Sequence, residues 1–248
     1  MRWGRLTVVN YRGVGIPRAL GLLIGAAAVL WCLAYALARS VPSSAWASLI
    51  GCLLVLVAGL VDDVVAVGPR GLRNHLRALA SGHVTTGIVK VIVIVGSAVV
   101  VIASTRPGHW WVGAAGVVLV AASANVWNGL DLRPGRALKA YLPMALPFLL
   151  AGDLAAAPAL VGVSLGALVG LPLDLRERAM LGDGGANLLG FSVGVGLVLV
   201  LPGWGVAAAA VAAVALNVLA DTVSFSRVIG ELGPLRWADR LGRLPAPD

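Results

Sequence analysis

Asp62 and Asp63 stand side by side at the end of an apolar run that begins near Trp46, in the order Gly59-Leu60-Val61-Asp62-Asp63. Two carboxylates at the end of a membrane segment are costly to desolvate and repel each other, so a cation or a set of basic partners is the expected compensation. That points to metal or phosphate chemistry; the plainer alternative is that the pair marks where a helix leaves the bilayer. A second polar cluster contains Asn125, Asn128 and Asp131. Their three-residue spacing lines them up along a helix or its tightened last turn, and two amides and a carboxylate in apolar surroundings need partners. Interhelical hydrogen bonding is one outcome. The arginines and lysine just beyond, Arg133, Arg136 and Lys139, favour a substrate site instead. The third cluster is the loop Asp174 to Asn187, in which Asp183 is set between glycines ahead of an apolar helix. There the backbone amides can reach an anion and the carboxylate a metal, although a simple helix cap would account for the same residues.

These side chains belong to a chain of 248 residues that is 59% hydrophobic and only 12% charged, with a mean hydropathy of +0.94. A soluble domain carries about 25% charged residues, so the composition describes an all-α, polytopic membrane helix bundle. At about 20 apolar residues per span, the length holds roughly eight transmembrane helices in a single integral membrane domain, 1–248, with no separate soluble domain. The apolar runs place the spans at Pro17–Ala38, Ala45–Val67, Val84–Ser104, Trp111–Gly129, Ala140–Gly152, Leu154–Leu173, Gly184–Pro202 and Trp204–Ala220, the fifth being short. Pro17 suits a first helical position. Cys32 and Cys52 both fall within apolar runs, which argues for packing rather than a disulfide framework.

The net charge of +8 is distributed unevenly. With the amino terminus in the cytoplasm, nearly all arginines and lysines near helix ends lie inside and only Arg39 and Arg106 lie outside, as the positive-inside rule requires of an even number of spans. A cleavable signal peptide is not expected. Both termini are then cytoplasmic, and the three polar clusters share that face. Segments 68–83 and 226–248 read as cytoplasmic interfacial segments. In the first, Arg70, Arg73, Asn74 and Arg77 share one side of a helix and Leu72, Leu76 and Leu79 another; in the second, Trp237, Leu241 and Leu244 oppose Arg236, Arg240 and Arg243. Arg70 and Arg73 either bind anionic headgroups or present guanidinium groups to a polyanionic substrate beside the acidic pair. Lys90 lies one to two turns inside the third span, where it either snorkels outward or faces an interior cavity.

A hard divalent cation takes one or two carboxylates plus phosphate oxygens, which these clusters offer. Their order along the chain, Asp62-Asp63, then Asn125-x-x-Asn128-x-x-Asp131, then Leu181-Gly182-Asp183-Gly184-Gly185 with Gly190-Phe191, resembles the polyprenyl-phosphate N-acetylhexosamine-1-phosphate transferase family, which includes the phospho-N-acetylmuramoyl-pentapeptide transferase. The opening Asn10-Tyr11-Arg12-Gly13 with Ile16-Pro17 is similar to the family's early motif. The resemblance implies transfer of a sugar-1-phosphate from a UDP-activated amino sugar to undecaprenyl phosphate at the bacterial plasma membrane, with release of UMP, in cell-wall or surface-glycan synthesis. It further implies Mg²⁺, or Mn²⁺ in its place, held by Asp63 and Asp183, and catalytic work by Asp62, Asp63 and Asp183. Substrate would be bound by Asn125, Asn128, Asp131, Arg70, Arg73, Lys90, Arg136 and Lys139. A homodimer is compatible with it and nucleic acid is not a partner. The chain departs from the family in lacking its late histidine-rich motif, in carrying Leu173 ten residues before Asp183 where the family has Asn, in placing Met180 where an aromatic residue stacks on uracil, and in its shorter length.

Two other functions stay open at this level. A non-catalytic member that binds lipid phosphate or nucleotide sugar as a scaffold or regulator is compatible with the missing histidines. An ion-coupled transporter using Lys90 and the acidic pair is disfavoured, because the polar groups gather at one membrane face rather than at the midplane and no internal repeat is evident.

Overall fold

The computed structural model describes residues 6–10, 12–65, 81–82, 84–105, 107–150 and 157–245. A short antiparallel hairpin opens the chain, β1 (Thr7–Val9) paired with β2 (Gly15–Pro17). Helices α1 (Leu20–Ala38), α2 (Ser43–Val65), α3 (Thr86–Thr105), α4 (Trp110–Leu130), α5 (Arg136–Leu150), α6 (Pro158–Leu175), α7 (Gly182–Val200) and α8 (Gly203–Thr222) follow, and two short helices, α9 (Phe225–Glu231) and α10 (Gly233–Arg240), close the tail. Among the described residues, seven helices, all of α1 to α8 except α5, are long and apolar enough to cross a membrane. The protein is an all-α, multi-pass membrane bundle. The expected fifth span is the 15-residue α5, interrupted by Pro143 and Pro147. It rises only about 22 Å against a hydrocarbon depth of about 30 Å, and its start lies where α4 finishes and where α6 ends, Asp174 accepting the Gly135 amide there.

Alternating passes bring the starts of the odd-numbered helices and the ends of the even-numbered ones to one end of the bundle, where the expected polar clusters meet. Helix α7 is the hub: it packs against α2 and α4 and touches α1 and α5, while α1 lies along α6, α2 along α3 and α4 along α8. In lipid, apolar side chains gain little by leaving the acyl chains for one another, so helices associate through close van der Waals contact that small residues permit. Glycines do this where α7 begins. A Cβ built on Gly59 of α2 would lie 2.5 Å from the Cα of Gly184, and one on Gly21 of α1 would lie 2.6 Å from the Cα of Gly185. Both contacts are backbone on backbone and cannot be relieved by a side-chain rotation. They fix the spacing between the end of α2, which carries Asp62 and Asp63, and the start of α7, which carries Asp183.

The beginning of the chain corrects one expectation. Pro17 does not start a helix; it ends β2, opposite Thr7, and its carbonyl accepts the amide of Met180 at 3.0 Å. The hairpin is thereby stitched to the α6–α7 loop, with the Leu20 amide returning to the Met180 carbonyl at 3.2 Å. Segment 68–80 lies outside the described residues, and Arg70, Arg73 and Arg77 with it.

Gly59→Ala forces α2 and α7 apart. The cost expected for overpacking is about 1–3 kcal/mol, read as a lowered thermal midpoint of the purified protein; an unchanged midpoint would mean the close approach does not set the packing.

Candidate functional site

Asp62 and Asp63 leave the last turn of α2 in different directions and find different partners. Asp62 accepts a hydrogen bond from the Lys90 ammonium at 2.6 Å and from the Thr86 hydroxyl at 2.5 Å, both on the first turns of α3. The same ammonium reaches Asp183 at the start of α7 at 2.5 Å. Lys90 therefore faces inward and bridges two carboxylates from different helices. Asp63 is buried and accepts from Arg18 Nη1 at 3.1 Å and from the Gly184 amide at 3.3 Å, beneath the positive end of the α7 dipole. Arg18 contributes one more feature: its Nε is buried with no hydrogen-bond partner among the described residues. A buried donor without an acceptor costs about 1–3 kcal/mol, and an anionic oxygen is what that donor lacks.

The Asp183 backbone carbonyl is held from within α7 by Asn187, whose amide nitrogen donates to it at 2.6 Å. Asn187 is buried deep in the hub helix, so the first turn of α7 is braced and its acidic side chain is left to face α2 and α3.

Beside this cluster lies a cavity of about 190 Å³ between the hairpin, the α4–α5 loop and the α6–α7 loop. Its polar lining includes Asn10, Asp131, Arg133, Asp174 and Glu177, and Val8, Val9, Ile16, Leu132 and Met180 supply apolar wall. Asp174, at the end of α6, accepts the Gly135 amide at 2.9 Å and ties the α4–α5 loop to α6. Glu177 takes a left-handed backbone conformation, φ 54°, which a non-glycine residue adopts rarely. Asn10 and Arg12 of the hairpin hold its carboxylate at 2.7 and 3.0 Å. Strained residues of this kind gather at ligand sites, where surrounding contacts hold them in place.

Asp131 caps the end of α4 and lines the same cavity. Desolvation of its carboxyl, then the charges of Asp174, Asp183 and Asp63, push its pKa well above the ordinary aspartate value, against a hydrogen bond from the Gly182 amide.

Three expected substrate contacts are committed elsewhere. Asn125 donates to Asn217 of α8 at 2.6 Å, and Asn217 donates in turn to the Ala122 carbonyl at 3.0 Å, so this amide joins α4 to α8. Arg136 forks onto Asp239 of α10 at 2.8 and 3.1 Å and reaches Ser226 at 2.9 Å. Lys139 is spent on the carbonyls of Ala238, Asp239 and Leu241 at 2.8, 2.6 and 3.0 Å. Both basic groups therefore anchor the tail. Burial alone would raise the Asp239 pKa, but the hydrogen bond and charge of Arg136, with Arg243 and Lys139, outweigh it and hold the carboxyl below its ordinary value. A carboxyl lowered on folding adds stability that is present above the ordinary aspartate range and is lost as pH falls through the lowered value.

Asn128, partly buried on the last turns of α4, stays near Asp131 in sequence and on the same end of the bundle. The sequence assigned Arg18 only to charge asymmetry, placed Asp174, Glu177 and Asn187 in the third polar cluster without individual roles, and gave Thr86 none.

Taken together, fold and site define a multi-pass helical membrane protein with a cluster of paired charges and a cavity at one end. Comparison of the chain with protein-family models, with curated proteins and with solved structures finds no match.

A carboxyl raised on folding binds more protons in the folded state than in the unfolded chain. Stability therefore falls as pH rises from the ordinary aspartate range through the raised value. Asp131→Asn removes that penalty at neutral pH, so the ligand-free midpoint is expected to rise by about 2–4 °C per kcal/mol relieved in a chain of this size. Its pH dependence in that window should flatten. A midpoint lower than that of the wild type would show that the ionised carboxylate is compensated more strongly than by the Gly182 amide alone.

Proposed function

We propose that the protein is a membrane phosphoglycosyl transferase that moves a sugar-1-phosphate from a UDP-activated amino sugar to undecaprenyl phosphate at the cytoplasmic face of a bacterial plasma membrane, releasing UMP. The observation that carries this reading is the convergence of the Asp62 and Asp183 carboxylates on one cationic point, beside a guanidinium with an unspent donor and a half-polar cavity. The ordered resemblance of the acidic and amide clusters to the polyprenyl-phosphate transferase family supports it. The hairpin and the tail meet at the arginine-rich face, where Arg12 bonds the Pro245 carbonyl, in keeping with cytoplasmic termini.

The donor set suits a hard divalent ion. Two carboxylate oxygens already lie 2.5 and 2.6 Å from a common cation, and Mg²⁺ is held by one or two carboxylates with substrate phosphates and water completing its shell. Among the described residues no three carboxylate, imidazole or thiol side chains gather as a closed metal cage, which is compatible with a site the substrate completes. Asp62 and Asp183 are accordingly the pair we assign to Mg²⁺, with Asp62 taking the place first given to Asp63. When bound, the ion neutralises the diphosphate and the charge developing on the leaving phosphate.

In the transfer, a lipid-phosphate oxygen attacks the β-phosphorus of the nucleotide sugar. The new P–O bond forms as the bond from that phosphorus to the bridging oxygen breaks, and UMP departs with the electron pair. Asp63 accepts the proton of a singly protonated lipid phosphate. Arg18 directs its free Nε–H to a phosphate oxygen, and Lys90, displaced from both carboxylates, serves a second. Fixed donors placed where charge develops contribute more to transfers of this type than any other single effect. The cavity takes the nucleoside: Asp131 and Asn10 offer acceptors and a donor to its polar edge, and Met180, Val9 and Ile16 offer apolar contact to the base.

Full-length protein in detergent, given undecaprenyl phosphate and a panel of radiolabelled UDP-sugars, should release UMP with at least one sugar and only with Mg²⁺ or Mn²⁺. Asp183→Asn should reduce the rate by roughly 10²–10³-fold, the order found when a group that stabilises transition-state charge is removed. Binding without turnover across the panel would replace the enzyme with a scaffold, and full activity in the Asp183 variant would remove it from the metal site.

A further inference from the structure

The tail is folded in a way that water does not select. Helix α10 and the turn after it put two of their four charges inward: Asp239 pairs with Arg136 and Arg243, and Arg243 also donates from Nε to the Pro134 carbonyl at 2.9 Å. The apolar residues point away from the protein, with Leu235 47%, Trp237 68%, Leu241 54% and Leu244 42% exposed. A helix lying on a soluble protein buries its apolar stripe; here the apolar stripe is exposed, beside Arg236 and Arg240, while Asp239 and Arg243 face the protein. The outward side needs an apolar partner of its own.

We propose that α10 and the Leu241–Leu244 turn form a docking surface for the anionic headgroup layer of the membrane the chain itself crosses. Position supports that occupant. The membrane-spanning α8 ends at Thr222 and α10 begins at Gly233, a reach of roughly 20 Å through the one short helix and few extended residues between them. Phe225, at the start of α9, packs against Gly129 of α4, so the tail stays beside the end of the bundle. Charge supports it as well. Arg227, Arg236 and Arg240 are exposed along the tail, and basic residues at the rim of an apolar face are the combination that seats a helix among anionic lipids. Trp237 is suited to the interface, with an apolar ring and a polar N–H. The inner ion pairs then connect that seat to Arg136 and Lys139 at the start of α5 and to Pro134, which lines the cavity. This surface stands whether or not the chain is a transferase.

The test uses the full-length protein in bilayers. A nitroxide is placed at Leu241→Cys and, in a separate preparation, at Leu244→Cys; a third label at Val14→Cys on the exposed hairpin reports a site facing water. Collision with lipid-soluble oxygen and with a water-soluble nickel chelate is measured in bilayers of phosphatidylglycerol and phosphatidylcholine and in phosphatidylcholine alone. The tail labels should favour oxygen, the hairpin label should favour the chelate, and the anionic lipid should deepen only the tail labels. Arg236→Gln with Arg240→Gln should lower the seated-to-lifted ratio by roughly thirtyfold, about tenfold for each 1.4 kcal/mol at about 1 kcal/mol per arginine. Tail labels that collide with the chelate as freely as the hairpin label would overturn the proposal. Labels shielded from both reagents would overturn it in favour of a protein partner or a second copy of this chain.

Discussion

The ammonium of Lys90, held between Asp62 on α2 and Asp183 on α7, is the interaction on which the polar end of this bundle depends. Neither carboxylate is tolerable alone near the hydrocarbon region, and a lysine pointing inward is equally costly there without partners. Joined, they hold the end of α2 and the starts of α3 and α7 in one place. Asp63 is satisfied separately by Arg18 and the Gly184 amide, so the acidic and basic groups divide into two neighbouring sets. One set is closed; the other keeps an orphaned guanidinium nitrogen with a hydrogen bond still to give.

Backbone packing makes that arrangement possible. The contacts of Gly59 with Gly184 and of Gly21 with Gly185 let three helices meet at the first turn of α7 without side chains between them. The α4–α5 and α6–α7 loops and the hairpin then close round the cavity through Asp174, Glu177 and Pro17. The tail fastens the outer side of the same loops. A single end of the bundle therefore contains the paired charges, the cavity and the tail anchor, while its long helical faces are left to lipid.

The sequence foretold the helices well because lipid imposes a simple demand, about 20 apolar residues without a charge, and most ends fall within a few residues of the expected positions. Asp62, Asp63 and Asp183 were legible for the same reason, since a carboxylate there stands out by its cost. What escaped reading depends on pairing across great separations. Glu177 and Asn10 are 167 residues apart, and Arg136 and Asp239 are 103 apart; no local pattern announces either bond. Pro17 was compatible with a helix start, but pairing with Thr7 and the hydrogen bond to Met180 placed it in a strand. Asn125 was legible as polar but its direction was not: one face of α4 looks toward the site and another toward α8, and Asn217 decided which it joined.

If Asp62 and Asp183 form a cation site, the Lys90 ammonium stands where a divalent ion can bind. Lys90→Met tests this most directly, because the substitution keeps an unbranched chain of similar length and removes the ammonium with its charge and hydrogen bonds. Thermal unfolding of the purified variant should begin well below that of the wild type in chelator, since two carboxylates are left facing each other, a defect of about 3–5 kcal/mol for a broken buried pair. Millimolar Mg²⁺ or Mn²⁺ should restore most of that loss in the variant and shift the wild type much less. A variant as stable as the wild type in chelator, or one that divalent ions do not rescue, would contradict a shared cation site.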